Sequence, residues 1–428
     1  MLKTISIDVV AREQSNWALD DETIKQAAEI VAQVQSGGLE SLRKLASKLD
    51  GRRPDEPLVY DRLECERALA VLDPSIRQLF ERVVERIRTF ATAQLGSIQP
   101  VDIAIPGGRA GHTIHPLQSA GCYVPGGRYP LVSSLFMTAV TARVAGVRDV
   151  WVACPAPSPI MLAAAGLAGV DGFLAVGGAQ AIAAMAHGVD RIPKCDVIVG
   201  PGNRWVTAAK QIVSAQTKID MLAGPSELLI VADDSADPAI VAADLLAQAE
   251  HDPDARPMLI ATSSAIVDRV NNELQKQLLL LPTANIASVA LKNGFAVVVG
   301  QLANAMELCE QIAPEHLELQ VADAATWAKQ ITRCGALFIG NSAAEVIGDY
   351  GAGPNHVLPT GGTARFASGL SVDTFLRRQT WLQIDDPISA GALLADTISL
   401  SQIENLSGHE LSAARRKENW EFGVRKRE

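Results

Sequence analysis

Short runs of β-branched and other apolar residues alternate with longer segments of helical spacing between about residues 149 and 340. We predict strands at 150–153, 172–176, 197–199, 228–232, 257–261, 295–299 and 336–339, and helices at 160–169, 179–188, 204–215, 239–250 and 264–280. Strand, helix and strand repeated in this way indicate parallel sheets with helices on both faces. The fold class is therefore α/β, and the two halves of the region could be related modules.

The two ends of the chain differ from this central region. Up to about residue 115 the pattern is helical, at 24–35, 39–49 and 76–94, with little strand signal. From about residue 374 onward the chain reads as a polar, helical tail with no strand partner. Because such a tail has little core of its own, we expect it to pack on something else, such as another subunit.

Composition narrows the class of protein. With 428 residues, two or three domains are expected. A formal net charge of −10 and a pI near 5.3 argue against nucleic acid or an anionic membrane surface as the main partner. The six cysteines are scattered without a CxxC pair, so neither a thiolate zinc site nor a disulfide framework is indicated. Without a signal sequence or an apolar run of about 20 residues, we expect a cytoplasmic protein.

Glycine-rich turns follow several predicted strands, at 176–180, at 200–203 and, after another short apolar stretch, at 124–127. In α/β folds the carboxyl ends of parallel strands are where ligands bind, because backbone amides and helix N-termini face the crevice there. The sequence contains no GxGxxG fingerprint, however. The turns are therefore either ligand-binding loops or simple tight connections.

Histidine is scarce, and four of the seven histidines stand near other ligand-type side chains. The resulting groups are Gln248 with His251, Glu315 with His316, Asp349 with His356, and Glu404 with His409. Imidazole, carboxylate and amide oxygen together suit zinc or a neighbouring divalent metal, and histidine and glutamate are frequent general bases. Two groups also have a structural explanation: Gln248 and His251 as an exposed helix end, and Glu315 with His316 as a helix cap.

Taken together, these segments resemble histidinol dehydrogenases over most of the chain. The resemblance rests on strings that occur in family order: YVPGG at 123–127, VGGAQA at 176–181, GPGN at 200–203, IDM at 219–221 with AGPSE at 223–227, QAEH at 248–251, PEHL at 314–317, GDY at 348–350 and NHVLPT at 355–360. It implies a zinc-dependent enzyme that oxidises L-histidinol to L-histidine through a bound aldehyde, with two NAD in succession, in the last steps of histidine biosynthesis.

The resemblance also assigns residues, position by position. The zinc ligands would be Gln248, His251, Asp349 and His409, and all four would also contact the substrate. The proton acceptors would be Glu315 and His316, with His316 taking the hydroxyl proton and Glu315 activating water. Further substrate contacts would come from Ser226, His316, His356 and Glu404, and NAD would lie near Tyr123, Gln180 and Asn203. Ser226 read by itself could equally be a turn residue.

The resemblance further implies two Rossmann-like parallel-sheet modules and a homodimer with shared active sites. The expected domains are an N-terminal arm at 1–20, a first α/β domain at 21–121 and 227–372 that carries most metal and catalytic residues, an NAD-binding domain at 122–226, and a helical tail at 373–428 exchanged between subunits. In the family the tail reads Glu-Gly-Leu-x-Ala-His. Here it reads ENLSGH at 404–409, which keeps the spacing from Glu to His and changes two small positions.

Three other functions compete with this interpretation. The same fold and zinc could oxidise a different small alcohol, although His356 and Glu404 match positions that contact histidinol away from the metal. A zinc hydrolase could use Glu315 with metal-bound water, but that leaves the glycine turns unexplained. A metal-binding scaffold without activity would have no use for the proton acceptors.

Overall fold

The computed structural model describes residues 1–13, 19–126, 130–155 and 157–425. Gly127, the last glycine of the first glycine-rich turn, lies outside these residues. The chain divides into two compact units. The first comprises Met1–Leu95 and Leu117–Phe375, and the second comprises Gly96–Pro116 and Leu376–Glu428. No helix in the described part of the chain is long and apolar enough to cross a membrane.

The strands of the described residues form three sheets. In chain order they are β1 (Lys3–Thr4), β2 (Val59–Asp61), β3 (Val101–Ile105), β4 (Gly108–Pro116), β5 (Ser119–Tyr123), β6 (Asp149–Ala153), β7 (Gly172–Leu174), β8 (Val197–Val199), β9 (Lys218–Ile219), β10 (Glu227–Ala232), β11 (Arg256–Ala261), β12 (Phe295–Val298), β13 (His316–Gln320), β14 (Ala336–Ile339) and β15 (Leu376–Ile384).

The described residues also form α-helices. They are α1 (Ile7–Glu13), α2 (Asp21–Asp50), α3 (Arg62–Ala70), α4 (Pro74–Ser97), α5 (Val132–Val144), α6 (Pro159–Ala168), α7 (Gly178–His187), α8 (Arg204–Val213), α9 (Pro238–Ala249), α10 (Ser264–Leu278), α11 (Ala284–Ala290), α12 (Leu302–Ile312), α13 (Ala324–Trp327), α14 (Glu345–Tyr350), α15 (Gly391–Ile403) and α16 (Ser407–Arg425). Helix α2 is kinked at Gly38, whose φ is +54°, so the two predicted helices at 24–35 and 39–49 run on either side of that glycine.

The first unit contains two six-stranded sheets. One has the order β1-β12-β11-β10-β13-β14 with every neighbouring pair parallel. Its two faces are covered by separate apolar clusters, which include Leu228 and Ile230 on one face and Leu229 and Val231 on the other. Alternate residues of one strand thus enter two cores, as a parallel sheet buried on both faces requires.

The other sheet of the first unit has the order β2-β7-β6-β5-β8-β9. Its pairs are parallel except that β2 runs antiparallel to β7. Apolar residues of α2, α7 and α8 pack on this sheet in one cluster with Leu174 and Ile198. The second unit holds the third sheet, in which β15, β4 and β3 are antiparallel neighbours.

The α/β class and all seven predicted strands are confirmed, with ends that differ by at most two residues. Two interior strands of the six-stranded sheets were not predicted, β5 (SAGCY) and β13 (HLELQ). The first is built mostly of small residues, and the second alternates apolar with polar side chains although all five residues are buried. Such a strand escapes a search for apolar runs.

The two ends of the chain require corrections. Residues 1–115 carry β3 and β4 as well as helices. The expectation that the tail has no strand partner is wrong, because β15 pairs with β4 over nine residues, from Leu376 opposite Pro116 to Ile384 opposite Gly108. Both strands are short of buried apolar residues, and their partners are far apart in sequence, so local patterns do not reveal the pairing.

The expected ranges of the domains also differ from the sheet membership. Helix α2 and strand β2 fall in the range 21–121, which belongs to the expected first α/β domain together with 227–372. They pack on, or pair within, the sheet that contains β5 to β8, and not the sheet that contains β10 to β14. Residues of the expected N-terminal arm, Lys3 and Thr4, extend the first sheet through β12. The division into functional domains stays a prediction.

Candidate functional site

A cleft of about 1370 Å³ in the first unit is lined from both six-stranded sheets. Tyr123 ends β5, and Asn203 follows β8, so these residues come from carboxyl ends of strands in one sheet. From the other sheet the cleft is lined by Ser226 and Glu315, which directly precede β10 and β13. The carboxyl ends of one sheet and the amino ends of the other thus share one cavity.

The backbone of one β10 residue, Glu227, contacts both predicted proton acceptors. The Glu227 N–H donates to Oε2 of Glu315 at 2.8 Å, and the Glu227 carbonyl lies 3.1 Å from Nδ1 of His316. A carbonyl only accepts, so Nδ1 carries the hydrogen, and Nε2 is the unprotonated nitrogen. Nε2 is buried and has no hydrogen-bond partner among the described groups. It is therefore the free basic atom.

Burial shifts the pKa of both groups. Glu315 is 5% exposed and His316 is 3% exposed. Burial raises the pKa of Glu315 well above its usual value and lowers the pKa of His316 to about 3. His316 is consequently neutral at pH 7, which leaves Nε2 unprotonated, while the Glu315 carboxylate, when ionised, holds a proton more tightly than a free glutamate does.

A cluster of potential metal ligands lies beside this pair. Nε2 of His251 is 3.8 Å from Oδ2 of Asp349 and 4.0 Å from Oε1 of Glu345. One ligand atom from each of the three residues lies within 4.8 Å of the other two. Gln248 is fully buried, and its amide nitrogen, in the orientation that satisfies its neighbours, donates to Glu345 at 2.9 and 3.2 Å.

The chemistry of this cluster fits a divalent cation. Burial raises the pKa of Asp349 to about 6 and that of Glu345 well above its usual value, and among the described residues neither carboxylate pairs with Lys or Arg. Buried carboxylates without a cationic partner are costly, and a bound metal ion both supplies the missing charge and opposes the rise in pKa. Imidazole, carboxylate and amide together are a ligand set that zinc accepts.

Sequence reasoning missed Glu345. It begins α14, four residues before Asp349, so the helix presents both carboxylates on one face. The four-residue spacing between the two acids could have indicated Glu345 from the sequence. A single acidic residue at the start of a helix is common, however, and does not by itself indicate a site. Further buried polar groups extend behind it, since Oε1 of Glu318 accepts from the Glu345 N–H at 2.8 Å and Gln320 donates to both Glu318 and Asp244.

The remaining residues predicted to contact the substrate or the metal lie in two separate parts of the structure. His356 lines the cleft, with Nδ1 3.0 Å from the carbonyl of Asp349 and Nε2 3.2 Å from Oγ of Ser134. Ser226 lines the cleft, and its hydroxyl lies close enough to Glu315 to lower the pKa of that carboxyl. Glu404 and His409 belong to the second unit, where both are exposed, one after α15 and the other in the first turn of α16.

The predicted NAD contacts also separate into two kinds. Tyr123 and Asn203 line the cleft, whereas Gln180 is buried and donates to Oδ2 of Asp50 at 3.1 Å. The Tyr123 hydroxyl accepts from the Gly178 N–H at 3.1 Å, and Asn203 caps α8. Gln180 therefore supports the glycine turn from behind, while the other two face the cavity.

The glycine-rich turn at 200–203 is held tightly against β5. Gly200 has a φ of +110°, and a Cβ there would lie 2.0 Å from the Tyr123 carbonyl oxygen. The buried ammonium of Lys210 donates to the Gly200 carbonyl at 3.0 Å and contacts Asp220, which accepts from the Gly200 N–H at 2.7 Å. These bonds fix the backbone that lines this side of the cleft.

Comparison with known proteins identifies the family. Residues 13–417 match the family model described as histidinol dehydrogenase. The chain belongs to the histidinol dehydrogenase family. Among the relatives of this family, the histidinol dehydrogenase of Thermus thermophilus is 43% identical over 396 residues, which cover 92% of this chain and 94% of the relative. That of Parasynechococcus marenigrum is also 43% identical over 396 residues, with 90% and 89% covered.

Solved structures support the same family. The crystal structure of histidinol dehydrogenase from Elizabethkingia anophelis is similar at a TM-score of 0.91 and 30% identity, with 98% of both chains covered. The resemblance inferred from the motif strings is confirmed, and the protein is an enzyme of the dehydrogenase class.

Proposed function

We propose that this enzyme oxidises L-histidinol to L-histidine through L-histidinaldehyde, with zinc and two NAD, in the last steps of histidine biosynthesis in the cytoplasm. The observation that carries the proposal is that the metal-ligand cluster lies beside the pair Glu315 and His316, with His251, Asp349 and Glu315 lining the cleft. His316 Nε2 is 4.0 Å from Oδ1 of Asp349, so a substrate held at the cluster can present its hydroxyl to the base.

The proposed zinc ligands are Gln248, His251 and Asp349 of one subunit, together with His409 of the partner subunit. When bound, zinc would fix the imidazole and amino nitrogens of histidinol and so orient the alcohol carbon. Ser226, His356 and Glu404 are the proposed further contacts of the substrate. NAD, the hydride acceptor, is assigned to the side of the cleft that Tyr123 and Asn203 line and Gln180 supports.

In the first oxidation, Nε2 of His316 accepts the hydroxyl proton while the carbinol C–H is transferred as hydride to the nicotinamide. The hydrogen bond from Nδ1 to the Glu227 carbonyl keeps the ring in the required tautomer and stabilises the imidazolium that forms. The aldehyde is the product of this step. Its retention in a cleft with buried catalytic groups allows the second oxidation to follow directly.

In the second oxidation, Glu315 accepts a proton from the water that adds to the aldehyde carbon. The hydrate then loses its C–H as hydride to a second NAD, and loss of a proton leaves the carboxylate of histidine. The Glu227 N–H holds the Glu315 carboxylate at 2.8 Å, so its orientation is fixed before water arrives.

We assign Glu404 and His409 to the active site of a second copy of the chain. Both are exposed on the smaller unit, which has a long antiparallel sheet and helices of its own. Exposed histidine and glutamate side chains are free to bind a metal and a substrate elsewhere. The proposal therefore includes a homodimer in which the tail, 373–428, completes the partner's site.

The overall reaction has a distinctive stoichiometry. With zinc-loaded protein and limiting L-histidinol, we expect two NADH per histidinol consumed and histidine as the product, measured by absorbance at the NADH band and by amino-acid analysis. Amino alcohols and diols without an imidazole serve as the comparison panel. If a compound of that panel is oxidised faster than histidinol, it replaces histidinol as the proposed substrate. Metal-dependent hydrolysis without NADH formation would favour a zinc hydrolase instead.

The shared site predicts complementation between two inactive variants. His409→Ala should lose zinc and activity together, and His316→Gln should lose activity alone. In a random mixture of both subunits, half of the dimers are mixed and carry one intact site each, so about a quarter of wild-type activity should return. Mixing after unfolding and refolding, with activity and zinc content measured, tests this. Unchanged zinc content in His409→Ala would overturn the assignment of the tail.

A further inference from the structure

Glu345 is buried at the metal-ligand cluster but has no role in the reaction just described. It is 2% exposed, and it faces Gln248, which is fully buried beside it. Gln248 is a primary amide with one end that accepts and another that only donates. Of these ends, only the oxygen can bind a cation. Something must therefore determine which end of Gln248 is available to the metal.

The contacts of Glu345 supply that control. Its two carboxylate oxygens lie 2.9 and 3.2 Å from the end of the Gln248 amide that faces them. A carboxylate beside a bound cation is ionised and only accepts hydrogen bonds, so an amide oxygen placed there would meet two further acceptors. The nitrogen at the same position donates to both. The oxygen is then left at the other end of the planar group, without a competing bond to Glu345.

The carboxylate of Glu345 is itself held in place. The Glu345 N–H donates to Oε1 of buried Glu318 at 2.8 Å, which fixes the start of α14. Nδ1 of His316 is 3.6 Å from Oε1 of Glu345, on the side away from the free Nε2. The group is thus confined between the amide ligand and the catalytic histidine, with little freedom to turn.

We propose that Glu345 is a positioning residue that holds the Gln248 amide nitrogen and so presents the Gln248 oxygen to the bound divalent cation. The proposal rests on the proposed zinc site and adds a residue to it. Carboxylates that orient the ligands of a metal are worth about 10–100-fold in metal affinity or activity. Glu345→Ala should therefore weaken zinc binding by about that factor.

A double-mutant cycle tests the proposal without using turnover. Zinc affinity is measured by competition with a chelator for the full-length protein and for Glu345→Ala, Gln248→Ala and the double variant, with circular dichroism to check the fold. If Glu345 acts through Gln248, the double variant binds zinc no more weakly than Gln248→Ala alone. Glu345→Gln, which keeps an acceptor and the side-chain volume, should recover a large part of the affinity lost in Glu345→Ala.

The outcomes separate the possible failures. Losses that multiply in the double variant would show that Glu345 binds the cation directly, which overturns the positioning role. Zinc binding by Glu345→Ala equal to that of the unmodified protein overturns it as well. Full-length protein that takes up no zinc would instead contradict the proposed function on which the inference rests. Cobalt in place of zinc gives a second readout, because its absorption bands should shift in Glu345→Ala.

Discussion

His316→Gln is expected to lower the rate of NADH formation from L-histidinol by about 10²–10⁴-fold, the usual contribution of a general base. The reason is the placement of the ring. Its Nδ1–H is committed to the Glu227 carbonyl at 3.1 Å, and Nε2 is buried without a described partner. A glutamine can replace the hydrogen bond to Glu227 but offers no basic nitrogen at the position of Nε2. The measurement is a steady-state rate with saturating histidinol and NAD.

The aldehyde step gives the discriminating comparison for this variant. Oxidation of added L-histidinaldehyde should fall far less than oxidation of histidinol, because water is activated by Glu315 in that step. His187→Gln is the matched control, since His187 ends α7 and does not line the cleft. Equal losses in both oxidations, or normal histidinol oxidation by His316→Gln, would show that His316 is not the base of the first step.

The sequence predicted the buried apolar strands better than the strand that carries the candidate site. Runs such as 228–232 are apolar at every position because both faces of the sheet are buried, so the pattern alone identifies them. Strand β13 carries His316, Glu318 and Gln320 on one side. His316 belongs to the candidate site, and Glu318 and Gln320 form the hydrogen-bonded network behind it. A strand that serves the chemistry therefore lacks the signal that reveals other strands.

The position of the site also departs from the simple rule for α/β folds. Glycine turns after β5 and β8 lie at carboxyl ends, where ligands are expected. Glu315 and His316, however, lie at the amino end of β13, in the other sheet. Only the packing of two sheets around one cleft brings both kinds of end together, and no spacing in the sequence contains that arrangement.

Glu345 illustrates the limit for single residues. Gln248, His251, Glu315, His316 and Asp349 were selected as candidates by their strings and the resemblance, and the structure brings them together, with His251, Glu315 and Asp349 lining the cleft. Glu345 stands in no such string. Its importance arises from distances of 2.9 to 4.0 Å to residues that are 29 to 97 positions away, which only the folded chain defines.

Glu315→Gln is expected to stop the reaction at the aldehyde. The amide can still accept the hydrogen bond that Glu315 Oε2 takes from the Glu227 N–H at 2.8 Å, so the local geometry should be kept. It cannot accept a proton from water, however, and oxidation of L-histidinaldehyde should fall by about 10²–10⁴-fold. His316 remains in place, so the first oxidation should continue.

The measurable consequence of Glu315→Gln is a change in stoichiometry. With an aldehyde trap present, one NADH per histidinol should form in place of two, and the trapped aldehyde should account for the substrate consumed. Glu307→Gln, on the exposed face of α12, is the control for loss of a carboxylate. A Glu315→Gln enzyme that still made two NADH per histidinol would require another base for water. Because burial has raised the pKa of Glu315 in particular, no exposed carboxylate is an equivalent substitute.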